Sequence, residues 1–308
     1  MKPKLFRSFA KVNLGLEVVG KLPDGYHELR TIFATLDLHD VVKIRTTPGG
    51  IVVRSNHPAL ADDESNLAHR AAVEMRRLAR TKTGVAIRLQ KNIAVGGGLG
   101  GGSSNAATVL RALDRIWGLD LGPRGLLETA RSLGADVPYF LFGGPALGLS
   151  RGDEIHPLGL TLSERILLIP GPGGLSTAAV FGQFDSSPAR GARSRSRIDP
   201  FIRSLEAACS ARPRPGGLRM LRNDLEAAAL QLSSELMDLA RVVRRIGRSN
   251  QTRHVAMSGS GTSFFMLFED AAHEGRAEKE LRDAGIEGKR CRFLSRRAYE
   301  SRFEIEWA

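Results

Sequence analysis

The stretch Gly96-Gly97-Gly98-Leu99-Gly100-Gly101-Gly102-Ser103-Ser104-Asn105-Ala106-Ala107 joins a strand-like run, 84–91, to a helix-like run that reaches about Trp117. Glycine lets backbone approach a ligand closely and takes positive φ without a steric penalty. Consecutive N–H groups in such a loop converge on an anion. Ser103, Ser104 and Asn105 are residue types that cap a helix N-terminus, where the dipole and the free N–H groups favour negative charge. This chemistry suits a polyphosphate. Gly/Ser-rich segments also form flexible linkers, but this one sits between two regular elements. It is not a Walker A loop, because no lysine follows Gly102. A G-x-G-x-x-G match at Gly96, Gly98 and Gly101 lacks the second strand ending in an acid; Gly118-Leu119-Asp120-Leu121-Gly122-Pro123 reads as a turn.

Upstream of the loop, residues 5–19 alternate as a strand and put Lys11 and Asn13 on one side of it. Lys11 reads either as an exposed strand lysine or, among Phe9, Ala10, Val12 and Leu14, as a buried amine. Pro23-Asp24-Gly25 is a turn signal, and Tyr26 and His27 open the next strand, to Leu38. On residue type alone that pair is a packing ring and a surface histidine. Further strands are expected at 41–46 and 51–54. A helix capped by Ser65 or Asn66 runs to Ala79, with Leu67, Ala71, Met75 and Leu78 on its core face.

Downstream, the helix after the loop buries Ala106, Val109, Leu110 and Leu113, and a short helix ends at Gly134. Asp136 is the one acid in an apolar stretch; it reads equally as a turn aspartate or as a carboxylate held beside the phosphate loop. Two strands over 146–157 and a buried one at 165–169 follow. A domain change near 157–164 divides the chain into 1–157 and 158–308. The spacing predicts loop over 171–198, one long helix from Asn223 to Ile246, and a hairpin through Ser258-Gly259-Ser260-Gly261-Thr262. A helix over 270–285 and a strand at 289–294 close the pattern.

The 308 residues are 42% hydrophobic, which indicates a globular chain. No segment has the length of a membrane span or the form of a signal peptide. Cys209 and Cys291 are the only cysteines, so a reduced, cytoplasmic protein is expected. The net charge of +12 raises the question of a polyanion partner. Aromatic residues are not interleaved with the basic ones, which argues against nucleic acid. The densest basic cluster, Arg190 to Arg197, reads as a solvated loop. The histidines are scattered and show no metal-ligand spacing.

Three motifs in one order, Ala10-Lys11-Val12-Asn13-Leu14, the glycine loop and Ser258-Gly259-Ser260-Gly261-Thr262-Ser263, resemble the GHMP kinase superfamily over almost the whole chain. Gly25-Tyr26-His27-Glu28-Leu29 and Leu133-Gly134-Ala135-Asp136-Val137-Pro138 are more selective. They resemble the branch whose substrate is a methylerythritol carrying a cytidine diphosphate group, in the non-mevalonate isoprenoid pathway. The resemblance implies an α+β fold of two domains: an N-terminal one like ribosomal protein S5 domain 2 and a C-terminal ferredoxin-like one. It implies a small-molecule kinase that moves the γ-phosphoryl group of ATP, with Mg²⁺, to a tertiary 2-hydroxyl.

By the same resemblance, Lys11 and Asp136 are the catalytic pair. Ala94, Val95, Gly96, Gly97, Gly98, Leu99, Gly100, Gly101, Gly102, Ser103 and Ser104 form the ATP loop, with Asn66 and Lys91 towards the adenosine. Asn13, Tyr26, His27, Phe181, Ser258, Gly259, Ser260 and Gly261 serve the substrate: His27 at the base edge, Tyr26 and Phe181 as stacking rings. The Mg²⁺ is expected to rest mainly on the ATP phosphates, with Ser103 or Ser104 assisting and no carboxylate ligand implied, and the chain is expected as a monomer or homodimer. Ala94 stands where the family usually has proline, which removes no backbone phosphate contact. Homoserine or mevalonate kinases of the superfamily are alternatives that Tyr26-His27 disfavours, because their substrates carry no base. Intact Lys11 and Asp136 disfavour a non-catalytic nucleotide sensor.

Overall fold

Strands β1 (Lys4–Lys21) and β2 (His27–Thr47) form an antiparallel hairpin around Pro23-Asp24-Gly25. The structure, a computed structural model, describes residues 2–58, 60, 63–187, 198–200 and 221–305. The chain continues through β3 (Ile51–Ser55), α1 (Leu67–Ala79), β4 (Gly84–Gln90), α2 (Gly101–Trp117), α3 (Gly122–Leu133), α4 (Tyr139–Phe142), β5 (Ala146–Leu149) and β6 (Glu154–Pro157). After these come β7 (Arg165–Ile169), α5 (Thr177–Ser186), α6 (Glu226–Leu232), α7 (Ser234–Ser249), β8 (His254–Met257), β9 (Phe264–Phe268), α8 (Ala271–Asp283), β10 (Lys289–Arg292), α9 (Arg296–Ser301) and β11 (Glu304–Ile305).

The first sheet has the order β11-β1-β2-β4-β3, with β5 on β2 and β6 on β5. Its pairs are antiparallel except β3 with β4. The second sheet, β10-β7-β9-β8, is antiparallel throughout. Period-two alternation explains the layering. Phe33, Val42, Ile44 and Ile87 face the helices, packing on Ala71, Met75, Ala106 and Leu110. Ala10, Val12, Leu14 and Ile32 meet Ile166, Leu168, Phe265 and Leu267 from the second sheet. Phe264, Met266 and Phe268 point the other way, to Val243, Ile246 and Leu281. Strand β9 is therefore buried on both faces, which is why Phe264 to Phe268 shows no polar alternation. Each large side chain so buried contributes roughly 1.5–3 kcal/mol.

The structure departs from the sequence reading in five places. Strand β2 runs unbroken through His39-Asp40, because Asp40 is fully buried and its carboxylate is satisfied from the loop entry. The predicted helix from Asn223 to Ile246 is two helices, broken at Ser233, which is extended and caps Leu236 N through its hydroxyl at 3.1 Å. The loop expected over 171–198 contains α5, capped by Ser176 on Ala179 N. Ser103, Ser104 and Asn105 are not caps: α2 begins earlier, at Gly101, with Gly100 as N-cap. Finally α9 and β11 were not foreseen, and β11 returns the chain end to β1 of the first sheet. Among the described residues no helix is long and apolar enough to cross a membrane. Arg190 to Arg197 and Cys209 lie outside the described residues; Cys291 is buried and free.

Candidate active site

Lys11 and Asn13 point away from the inter-sheet core, on a segment of β1 framed by register shifts at Phe9/Lys11 and Asn13/Gly15. Such bulges re-aim side chains. The Lys11 side chain is only 4% exposed, and a buried ammonium must be paired. Its Nζ donates to Asn13 Oδ1 at 2.7 Å and lies 3.2 Å from Asp136 Oδ2. Asn13 Nδ2 donates to Thr31 Oγ1 at 2.7 Å, and that hydroxyl donates to Gly15 O at 2.8 Å. Asp136 sits in the turn between α3 and α4, closed by Val137 N donating to Gly134 O. Buried Val137 anchors the turn, and the carboxylate stays 36% exposed, open to a ligand.

The glycine loop crosses directly over this pair. Lys11 N donates to Leu99 O at 3.0 Å, and Leu99 is buried beneath the loop. A Cβ on Gly100 would stand 3.0 Å from Lys11 Cγ and 2.7 Å from Phe140 Cζ, and Gly100 has φ +69. Only glycine fits there. The C-terminal Ser258-to-Gly261 turn braces the loop from the other side: Ser258 Oγ donates to Gly98 O at 2.9 Å, and Ser263 N to Gly97 O at 3.1 Å. Asn223, which the sequence did not single out, holds that turn by donating to Met257 O at 2.9 Å and Gly259 O at 2.6 Å. Ser260 joins α5 through Thr177 at 2.9 Å. Gly100 supplies no side-chain cap, so the first N–H groups of α2 have no side-chain partner at the place where an anion would bind.

Beneath the loop lies a polar cluster that was also not foreseen. Asp40 accepts from Asn92 N at 2.7 Å, Ile93 N at 2.9 Å, Asn105 Nδ2 at 3.0 Å and the Lys91 ammonium. Asn105 also donates to Ser8 Oγ, which donates to Ser104 Oγ, each at 2.8 Å. Lys91, expected towards the adenosine, is 3% exposed and turned inward, because its charge is paired with Asp40 and bonded to Asn105. Asn66 is the N-cap of α1, accepting from Ala68 N at 3.0 Å. Ala94 packs on the inter-sheet core, while Val95 is exposed. The loop entry is thus held by Asp40.

A cleft of about 800 Å³ is lined by Lys11, Asn13 and Asp136, by Gly96, Gly98, Gly100 and Ser103, and by Gly259, Ser260 and Gly261. The same cleft is lined by Tyr26, His27 and Phe181. Leu99, Ser104 and Ser258 are buried behind its wall. The His27 ring stacks on Phe181, with centroids 4.5 Å apart and planes at 23°. Tyr26 is 59% exposed and carries the Arg151 guanidinium 4.2 Å from its ring centroid. Residue types alone had left His27 on the surface; its side chain is 11% exposed and bonds Asp185, which no motif pointed to. Burial raises the Asp185 pKa, but hydrogen bonds from His27 and Lys21 outweigh it, and the carboxyl lies below its ordinary value.

Residues 66–144 match the family described as GHMP kinases N terminal domain. A 4-diphosphocytidyl-2-C-methyl-D-erythritol kinase of Geobacter sulfurreducens is 35% identical over 92% of this chain and 96% of its own length. One of Acaryochloris marina is 38% identical over 84% of each. A crystal structure of 4-(cytidine 5'-diphospho)-2C-methyl-D-erythritol kinase superposes with a TM-score of 0.73, at 34% identity, covering 93% of this chain and 98% of that one. A homoserine kinase from Cytophaga hutchinsonii shares the fold, with a TM-score of 0.71 at 18% identity over 94% of each chain. With this α+β GHMP fold and this similarity over most of its length, the chain belongs to the 4-diphosphocytidyl-2-C-methyl-D-erythritol kinase family of the GHMP kinases.

Proposed function

We propose that this protein transfers the γ-phosphoryl group of ATP to the 2-hydroxyl of 4-diphosphocytidyl-2-C-methyl-D-erythritol, in non-mevalonate isoprenoid precursor synthesis. The observation that carries this reading is the Lys11–Asp136 ion pair, lying under the glycine loop in the cleft that His27 and Phe181 also line. Phosphoryl transfer asks mainly for positioning and for stabilisation of charge. The loop from Ala94 to Ser104, with the start of α2, holds the phosphates through backbone N–H groups. A tertiary alcohol is a weak acid, so its proton leaves late in the transfer. Asp136 Oδ2 accepts that proton, and the Lys11 ammonium, fixed by Asn13, offsets the charge on the forming oxygen.

Among the described residues no group of three or more His, Cys, Asp or Glu side chains is arranged to hold a metal. Ser103 Oγ and Asp136 are hard oxygen donors lining the cleft, a set that fits Mg²⁺ carried chiefly by ATP phosphates and water. Bound there, the ion would neutralise β- and γ-phosphate charge. Tyr26 and Phe181 hold the cytosine by stacking, and His27 reads its edge. Asn66 and Lys91 serve ATP through the elements that they fix, α1 and the start of α2. In this reading 1–157 is the ATP-binding half, like ribosomal protein S5 domain 2, and 158–308 is a ferredoxin-like half whose last strand crosses back. The chain acts in the cytoplasm as a monomer or homodimer.

The test is coupled ADP release from ATP and Mg²⁺, run in parallel on diphosphocytidyl-methylerythritol, methylerythritol phosphate, homoserine and mevalonate. Turnover of the cytidyl substrate alone is expected. Turnover of a base-free alcohol in its place would overturn the substrate assignment, and ATP binding without any turnover would overturn the kinase.

A further inference from the structure

Two donors converge on the Asp185 carboxylate from the β1–β2 hairpin. Lys21 Nζ lies 2.6 Å from Oδ2, and His27 Nε2 lies 2.9 Å from Oδ1. Lysine has no acceptor, and an ionised carboxylate has no donor. The proton between His27 and Asp185 therefore sits on Nε2. In the neutral imidazole Nδ1 is then a lone-pair acceptor. Phe181 covers one face of the ring, and Phe184 meets it edge-on at 6.3 Å, so the ring cannot easily turn to present its other nitrogen. Among the described residues no hydrogen bond reaches Nδ1.

From this geometry we infer that Asp185 is a positioning residue that fixes the His27 tautomer, and that the tautomer makes the cleft accept a cytosine base and reject uracil. The inference rests on the cytidyl substrate proposed above and names how that base is chosen. Cytosine presents a 4-amino donor, which pairs with an Nδ1 acceptor. Uracil presents a 4-oxo acceptor at the same place, so two lone pairs would face each other without a proton. A site with an acceptor in place rejects the analogue that cannot donate, because the buried group is left unpaired. Lys21 has a definite part: by occupying Oδ2 it leaves Oδ1 for His27. The lowered pKa of Asp185 agrees with a carboxylate that accepts from both.

Two variants test the assignment. In Asp185→Asn the amide oxygen is drawn to the Lys21 ammonium, the charged donor of the two, although the lysine side chain, 43% exposed, also reaches water. The amide NH₂ then faces His27 Nε2, which must become the acceptor, and the proton moves to Nδ1. Asp185→Ala removes the constraint altogether. The measurement is kcat/KM for diphosphocytidyl-methylerythritol against its uridine counterpart. Wild type should favour the cytidyl form by at least about tenfold. Asp185→Ala should shrink that ratio, and Asp185→Asn should shrink it further or invert it. Imidazole ¹⁵N shifts of the unliganded protein supply a readout independent of turnover: Nε2–H in wild type, Nδ1–H in Asp185→Asn. A ratio unchanged in both variants, or a wild-type Nδ1–H tautomer, would overturn the inference. Absence of any cytidyl turnover by wild type would instead overturn the proposed function, and the ¹⁵N shifts would still decide the tautomer.

Discussion

Ser258 donates its hydroxyl to the carbonyl of Gly98 at 2.9 Å, joining the C-terminal turn to the phosphate loop across 160 residues of sequence. Gly98 has φ +74, and a Cβ there would come 2.1 Å from Ser258 O, a backbone atom that cannot step aside. Gly98→Ala should therefore displace the loop and weaken ATP binding by at least about tenfold, read by calorimetric titration. Ser258→Ala removes two hydrogen bonds, the one to Gly98 O and the one that the hydroxyl accepts from Asn13 N at 3.2 Å, and should cost about 1–3 kcal/mol of stability. Equal ATP affinity in Gly98→Ala and wild type would show that the loop geometry does not set phosphate binding.

Asp136→Asn keeps the size of the side chain but removes the charge facing Lys11 and the capacity to take a proton. Turnover should fall by about a hundredfold or more while ATP still binds. Single-turnover kinetics with an ATP titration would separate the two. A variant with near-normal turnover would remove Asp136 from the chemistry.

Tyr26 stands at the cleft with its ring largely exposed, and a base stacked there would gain about 1–3 kcal/mol. Tyr26→Ala should raise KM for the cytidyl substrate roughly tenfold and leave KM for ATP close to wild type. Matching increases in both constants would exclude Tyr26 from the base site.

Asp40→Ala would leave the Lys91 ammonium buried without its counter-charge and the amides of Asn92 and Ile93 without an acceptor. The expected loss is about 3–5 kcal/mol in urea unfolding. The double variant Asp40→Ala, Lys91→Met should recover part of that loss, because the unpaired charge is gone. No recovery would mean that the backbone bonds, and not the ion pair, make Asp40 necessary.

His254 is buried, with its ring 5.7 Å from that of Phe265 and its Nε2 3.3 Å from Leu14 O. Burial pushes its pKa down from 6.5 to about 4. Between those values the unfolded chain binds a proton that the folded chain refuses. Its contribution is therefore full above pH 6.5 and is lost as the pH falls towards 4. Between pH 7 and 5 this group alone should cost the fold about 2 kcal/mol. In His254→Gln that component disappears, so the stability gap between variant and wild type should narrow by about 2 kcal/mol over the same interval in urea unfolding. Parallel pH profiles would show that His254 is not held neutral.

Short-range signals in the chain were sufficient for much of this architecture. Glycine spacing marked the loop between β4 and α2, Ser65-Asn66 marked the start of α1, and Pro23-Asp24-Gly25 marked the hairpin turn, because backbone freedom and capping depend on neighbours in sequence. Period-two and helical patterns placed the sheets and the core faces of α1 and α2. The motifs around Lys11, the glycine loop and Asp136 named the residues that now share one cleft.

What only the tertiary structure decided depends on partners distant in sequence. Asp40 fell in the gap between two expected strands because the amides that donate to its carboxylate, Asn92 N and Ile93 N, lie 52 and 53 residues on. Lys91, which the resemblance alone put towards the adenosine, is paired with a counter-charge, Asp40, that lies 51 residues away in sequence. Asp185 carried no motif, yet it meets His27 and Lys21 from a helix in the other half of the chain. A lone polar residue reads as surface until its partner is known, and burying it is tolerable only when that partner arrives. The sequence by itself determined the glycine loop, the strand and helices around it and the kind of chemistry; the fold decided where the later helices break, which charges hold the loop and which are left facing the cleft.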